Sequence, residues 1–403
     1  MTDFQSYAQK YRTELLQSCV PFWLHYGPDE RFGGIRTCLD RYGNVYSEDK
    51  SVWMQGRAAY MFSHLCNVYG ANAEYSRMAT SCIQFLNEHC IDRADGRMYF
   101  TVTGDGRPLR KRRYFFSEIF YIMANAEYYR MCGDQNALRA ARDYFGFVCD
   151  IHSDPKKDPY KITPKYIAET RATRSLSEPM MLLNTSLLLY ECDEERKQSY
   201  EQKIRLFAEE ILHYFYKKEK HAMFETVGMN GEYDASVADY RVINPGHCME
   251  ASWFLSDAGA VLNDEEISAC GRAIFEDAFR AGWDTRYGGI FYFVDYEKKP
   301  VFAYEHDMKL WWPHNEGVLA SLKLYERTGD AALLECFRMI DEYAFSHFSD
   351  APYGEWFGYL RRDGRPTEPP CKGHIYKGPF HVLRMLCEGE QVLNRLQNKE
   401  GKK

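Results

Sequence analysis

The chain lacks the marks of an exported, membrane-bound or nucleotide-cradling protein. No window reaches the roughly 18 uncharged apolar residues of a membrane span. The first residues, Met1-Thr2-Asp3-Phe4-Gln5, show no basic region followed by an apolar core, so the expected location is the cytoplasm. The 13 cysteines are odd in number, scattered, and form no C-x-x-C pair with zinc spacing. Reduced thiols acting as small buried apolar groups are the plain reading. There is no G-x-x-x-x-G-K-[ST], no strand-borne G-x-G-x-x-G, no G-x-S-x-G and no H-E-x-x-H. Net charge is -7 and basic residues do not gather on one stretch, which argues against nucleic acid or an anionic membrane as partner. The one compact basic cluster, Arg110-Lys111-Arg112-Arg113, is short and reads as a solvated turn. Linker-like composition is missing too, so residues 1–403 are expected to form a single large domain.

Aromatics, at 16%, are plentiful and unevenly spread. Gly/aromatic segments recur at Arg31-Phe32-Gly33-Gly34, Asp95-Gly96-Arg97-Met98-Tyr99-Phe100, His221-Ala222-Met223-Phe224-Glu225, Arg286-Tyr287-Gly288-Gly289 and Tyr353-Gly354-Glu355-Trp356. Most precede a turn signal such as Arg41-Tyr42-Gly43-Asn44 or Arg362-Asp363-Gly364-Arg365, and read as short β-hairpins. They lie roughly 65 residues apart with one double gap, where the Pro- and Lys-rich link 154–173 replaces a hairpin. Each interval holds two helical patterns, for example 52–69 with 73–90 and 114–131 with 134–151. About six helix pairs predict an all-α fold, an (α/α)6 barrel with short β-hairpins connecting the helix pairs. An open solenoid would need polar capping repeats, and the aromatic segment Pro21-Phe22-Trp23-Leu24-His25-Tyr26 is a poor one.

In such a ring the inner helices aim their termini at a central cleft. Asn244-Pro245-Gly246 is a helix start, with Pro fixing φ in the first turn. His247 and Glu250 then share a helical face, so the carboxylate can bond one ring nitrogen or a substrate hydroxyl. His381, in Lys377-Gly378-Pro379-Phe380-His381, stands at another helix start. Two imidazoles at separate helix ends can act as opposed proton-transfer groups; each taken alone is equally a satisfied core histidine. Lys309-Leu310-Trp311-Trp312-Pro313-His314-Asn315-Glu316 reads as a sugar-binding stretch, since indole faces stack on sugar C–H faces and His and Glu bind hydroxyls, with an aromatic core stripe as the alternative. Trp53-Met54-Gln55-Gly56-Arg57 opens an inner helix, where Arg57 can hold a developing oxyanion or form a structural ion pair. Phe115-Phe116-Ser117-Glu118 opens the next inner helix in the same way, and Ser117 is a plausible N-cap. A metal held by His247, Glu250, His314 and His381 is a lesser alternative.

At these residues the chain resembles the N-acylglucosamine 2-epimerase family, also known as renin-binding protein, over nearly its whole length. The resemblance is carried by Gly33-Gly34 with Thr37-Cys38-Leu39-Asp40-Arg41, Trp53-Met54-Gln55-Gly56-Arg57, Pro179-Met180-Met181-Leu182-Leu183-Asn184, Asn244-Pro245-Gly246-His247, Lys309-Leu310-Trp311-Trp312-Pro313-His314, Tyr353-Gly354-Glu355-Trp356-Phe357-Gly358-Tyr359 and Phe380-His381-Val382. It implies an (α/α)6 barrel and interconversion of N-acetyl-D-glucosamine with N-acetyl-D-mannosamine. It also implies His247 and His381 as the acid/base pair, with Arg57 near the C1 oxygen and Glu250 beside the first histidine. Trp53, Glu118, Trp312, His314, Glu316 and Lys377 are the expected substrate-binding residues. No metal or cofactor is expected in the chemistry; ATP as a non-hydrolysed activator at an unassigned site, and a homodimer, are. The chain reads Tyr304-Glu305-His306-Asp307 where Leu-Glu-Trp-Asp is commoner, and Leu383 where Pro usually follows Phe-His-Val. These departures bear on the dimer surface and nucleotide response more than on the chemistry.

The chemistry follows from the substrate. Ring opening puts an aldehyde at C1 and makes C2–H acidic, so a histidine of ordinary pKa can remove it once the enolate is held. A second histidine returns a proton to the other face. Three rival readings remain: a 2-epimerase or aldose–ketose isomerase of unsubstituted sugars such as mannose or cellobiose, a two-carboxylate glycosidase, and a binding protein without catalysis.

Overall fold

Two kinds of helix alternate along the chain, and their burial explains the architecture. The computed structural model describes residues 3–111, 114–159 and 166–400; Arg112 and Arg113 of the basic cluster and residues 160–165 of the divergent link lie outside the described residues. Helix α1 runs Phe4–Glu14, passes through a π-turn at Leu15–Cys19 and continues as Val20–Tyr26. Then follow α2 (Val52–Tyr69), α3 (Ala73–His89), α4 (Phe116–Cys132), α5 (Gln135–Ser153), α6 (Ser177–Cys192), α7 (Lys197–Glu210), α8 (Pro245–Leu262), α9 (Glu265–Gly282), α10 (Trp311–Thr328), α11 (Ala331–His347) and α12 (His381–Glu400).

Even-numbered helices are buried on nearly every side, as in α8, where only four of the 18 residues escape burial. Odd-numbered helices bury one stripe, as in α5, where Ala137, Leu138, Ala141, Phe145, Val148 and Ile151 recur at helical spacing. A helix apolar all round must be covered all round, whereas an amphipathic one needs a single neighbour face. The even helices accordingly form an inner ring, touching in the order α2, α4, α6, α8, α10, α12 and back to α2, with the odd helices wrapped outside. This is the (α/α)6 barrel expected from the repeat spacing.

The two ends of the barrel differ because their turns differ. At one end α2, α4, α8 and α10 stop on Gly70, Gly133, Asn263 and Gly329, all at positive φ. The next helix begins at once on Asn72, Asp134, Asp264 or Asp330, whose side chain accepts a first-turn N–H. At the other end the connections are long and carry the hairpins. Four of these share an Asp-x-x-x-Gly turn: Asp29–Gly33, Asp92–Gly96, Asp284–Gly288 and Asp350–Gly354. Each glycine donates its N–H to the aspartate carbonyl at 2.8 or 2.9 Å. Each sits at φ between 71° and 79°, which favours glycine.

The expected hairpins are mostly single bridges, such as Pro28 with Ile35 and Trp283 with Ile290. Longer pairing runs between repeats: Lys50–Ser51 with Thr101–Val102, Val242–Ile243 with Val294–Asp295, and Lys309–Leu310 with Tyr359–Leu360, all antiparallel. The strand entering an inner helix is thereby stitched to the loop leaving the following outer helix. In the divergent link a short helix, Ala168–Arg171, precedes a strand, Thr173–Ser175, that pairs with Thr226–Gly228. Buried lysines lock the turns: Lys50 on Asp29 at 2.7 Å, Lys309 on Asp284 at 3.1 Å and Lys372 on Asp350 at 2.9 Å. A buried ammonium or carboxylate is tolerated only with such a partner. Among the described residues no helix is long and apolar enough to cross a membrane.

Candidate active site

The hairpin end opens on a cavity of about 800 Å³ into which every inner helix sends residues from its first turns. Trp53 and Arg57 come from α2, His247 and Glu250 from α8, Trp312 from α10, and His381 with Arg384 from α12. Spacings of three and four put each pair on one helical face. Both histidines line this one cavity. The Trp312 indole stands by both, its ring centroid 5.0 Å from that of His247 and 6.1 Å from that of His381. Gly246 makes room for it, since a Cβ there would come within 2.5 Å of the indole.

Each imidazole is held by a carboxylate from another part of the chain. His247 Nδ1 lies 2.8 Å from Glu225 Oε2, and Asn244 Oδ1 caps the helix by accepting the His247 N–H at 3.1 Å. His381 Nδ1 lies 2.8 Å from Glu316 Oε1. A carboxylate only accepts, so Nδ1 carries the proton in both rings and Nε2 is left for chemistry.

Their electrostatics differ. Burial disfavours charge on His247, but Glu225, with Glu250 and Glu316 further off, outweighs it and raises the pKa above the usual imidazole value. Burial dominates at His381, and Arg57 and Arg384 add to it, so the ring is pushed down to about 3 despite Glu316. Arg384 Nη2 donates to Glu250 at 3.1 Å and also to Glu316. Burial and the neighbouring Glu316 raise the Glu250 carboxyl; Arg384 and His381 hold Glu316 ionised against its own burial. The cavity therefore offers one imidazole whose charged form is favoured and one that burial and the two arginines keep neutral. Arg57 lies over the rings of Phe120 and Phe380, and Nη1 donates to the Tyr376 carbonyl at 3.2 Å.

Trp53, Arg57, His247, Glu250, Trp312 and His381, all singled out from sequence, line the cavity. Four expected substrate-binding residues do not. Glu118 is fully buried, takes the Arg97 guanidinium at 2.7 Å and accepts the Met98 N–H at 2.8 Å. His314 is fully buried, with Nδ1 2.7 Å from the Leu310 carbonyl and Nε2 accepting the Ile290 N–H at 2.9 Å. These repeat a clasp also made by Gln55, which accepts the Ile35 N–H at 2.8 Å. In each case a first-turn side chain of an inner helix pins the preceding hairpin. Lys377 is buried against Glu355 at 2.8 Å. Glu316 addresses His381, Arg384 and the Trp253 indole N–H rather than the cavity.

Two further expectations need correction. Glu250 pairs with Arg384, and it is Glu225 that holds the His247 ring. The metal set with His314 is not assembled, because both His314 nitrogens are engaged elsewhere. Glu250, Glu316 and His381 do bring ligand atoms within 4.8 Å of one another, but the Arg384 guanidinium already bonds both carboxylates of that group.

Sequence reasoning missed Glu225 and Arg384. Arg384 had a signal, standing at i+3 from His381; Glu225 had none, since it reaches His247 from a loop 22 residues earlier.

Comparisons with known proteins identify the family. The family profile for N-acylglucosamine 2-epimerase (GlcNAc 2-epimerase) matches residues 33–382. The chain is 37% identical to the N-acylglucosamine 2-epimerase of Bos taurus, over 94% of this chain and 90% of that one. It is 35% identical to the one from Rattus norvegicus, over 96% and 92%. Among solved structures it superposes on the cellobiose 2-epimerase of Bacillus thermoamylovorans B4167 with a TM-score of 0.83 and 22% identity, covering 96% of this chain and 99% of that one, a likeness of fold. The chain belongs to the N-acylglucosamine 2-epimerase family.

Proposed function

We propose that the protein is an isomerase interconverting N-acetyl-D-glucosamine and N-acetyl-D-mannosamine by proton transfer at C2. One observation carries the reading: two imidazoles of opposite charge preference face a single cavity, each with Nδ1 tied to its own carboxylate. After the pyranose opens, neutral His381 takes the C2 proton on Nε2. The C–H electron pair moves into C1–C2, and the carbonyl pair moves onto O1 beside Arg57. The His247 imidazolium then protonates C2 from the other face, and the aldehyde reforms. The two rings have now exchanged protonation states, and solvent resets them. Fixed donors aimed at a developing oxyanion contribute roughly 10²–10³-fold, and a positioned acid or base roughly 10²–10⁴-fold. Nitrogen at C2 leaves no O2 proton to shift, so the ketose side-product open to a 2-hydroxy sugar is closed here.

Relatives named for the N-acylated sugar are 34–37% identical, whereas those named for cellobiose are 22–26% identical. That gap supports the N-acyl substrate over an unsubstituted one. The test is incubation with N-acetylmannosamine in D₂O, followed by NMR. Deuterium at C2 of accumulating N-acetylglucosamine is expected; product without label would remove the mechanism. The same reading makes the working form a cytoplasmic homodimer that needs no metal and uses ATP only as an activator. Activity surviving chelator, ATP recovered intact and sedimentation at twice the chain mass are the matching outcomes.

A further inference from the structure

Charge is unevenly distributed round the cavity wall. Helices α8 and α12 bring His247, Glu250, His381 and Arg384, and α2 brings Arg57. Helix α6 brings no charge: its lining residues are Ser177, Met180, Met181 and Asn184, which successive steps of one, three or four place on a single face. Asn184 is the only carboxamide among the lining residues, and its side chain bonds to no other group among the described residues. A primary amide offers two donors and an acceptor. With two thioether side chains one turn earlier on the same helix face, those groups line the cavity unmatched.

An N-acyl substituent is complementary to this face. Its C=O accepts and its N–H donates on opposite sides of a trans amide, so the one carboxamide can meet either of them, while its methyl packs against the methionines. Ring order points the same way. Helices α2 and α6 flank α4 on opposite sides, facing the α8–α10–α12 arc that carries both histidines. A planar C2 approached from both faces keeps C1, C3 and nitrogen in its plane. With O1 drawn to Arg57 on α2, and the longer C3–C6 branch needing the open mouth, the nitrogen branch is left to α6. We propose that the Asn184, Met180 and Met181 face of α6 is the N-acyl subsite, the part of the cavity that reads the acetamido group. The proposal rests on the 2-epimerase reading above and adds to it the determinant of sugar specificity.

The test compares C2–H exchange in D₂O for N-acetylmannosamine and for mannose. In Asn184→Leu, kcat/KM for N-acetylmannosamine should fall about tenfold to hundredfold, the loss expected when a buried polar group is left unpaired. The fall for mannose should be at least about tenfold smaller. Met181→Ala should widen the pocket and raise the rate for N-butanoylmannosamine relative to N-acetylmannosamine. Equal losses on both sugars in Asn184→Leu, or an unmoved acyl-length preference in Met181→Ala, would overturn the subsite while leaving the epimerase intact. Wild-type protein that exchanges mannose but not N-acetylmannosamine would overturn the subsite and the function together.

Discussion

Removing the carboxylate of Glu225 should move the alkaline limb of activity to lower pH. Glu225 Oε2 lies 2.8 Å from His247 Nδ1, and the two side chains are 18% and 23% exposed. Burial alone would lower the His247 pKa; Glu225 is the largest influence opposing it. A hydrogen bond to a charged group contributes roughly 1.5–3 kcal/mol, and one pKa unit corresponds to about 1.36 kcal/mol. Allowing for partial exposure, Glu225→Gln should lower the His247 pKa by about one unit. In the proposed mechanism His247 is the acid, so its active form is present below its pKa and lost as pH rises through it. Weakening the imidazolium therefore brings the loss to lower pH. Initial rates of C2–H exchange, measured between about pH 5 and pH 10, report this as the falling limb of kcat/KM. The wild-type limb should lie above the ordinary imidazole value of 6.5, and the variant limb about one unit below the wild-type one. The acid side should not move in this range, because His381 is held at about 3. Superimposable limbs in the two proteins would refute the assignment of His247 as the resting acid.

Other outcomes follow from the same contacts. His381→Asn should lower kcat by at least about 10²-fold and abolish deuterium incorporation, with the circular dichroism spectrum unchanged. Gly246→Ala puts a Cβ within 2.5 Å of the Trp312 indole; displacing that ring should raise KM and lower kcat together, as steady-state kinetics would show. Lys50→Met leaves the buried Asp29 carboxylate without its ammonium and should cost about 3–5 kcal/mol, seen as a drop in melting temperature that Asp29→Asn partly restores. His314→Asn removes the acceptor for the Ile290 N–H and should lower the melting temperature by the effect of about 1–3 kcal/mol, while KM stays the same; a large rise in KM would return His314 to the substrate site.

Much of the ring was legible in the sequence because its information is local. Helix period, Asn or Asp caps, positive-φ glycines and Gly/aromatic turns repeat at even spacing, and each is a short-range device. The same locality exposed Asn244-Pro245-Gly246-His247 and Phe380-His381 as helix starts. It also misled: Glu118, His314 and Lys377 are polar residues beside such starts, a position that serves equally for gripping a hairpin or a substrate. Spacing along one helix cannot tell which of the two a side chain meets.

What the sequence by itself determined is the inventory and the period: twelve helices, two histidines at helix starts, and no charge pattern suited to a polyelectrolyte. Tertiary structure alone decided the partnerships. Closing the ring brought Glu225 to His247 across 22 residues, Glu316 to His381 across 65, and Arg384 to Glu250 across 134. Whether a buried imidazole carries a proton depends on the sum of desolvation and every charge within reach, and those charges come from different repeats. A linear pattern can name the two histidines, but only their placement among Glu225, Glu316, Arg57 and Arg384 sets which of them favours the charged form and which stays neutral.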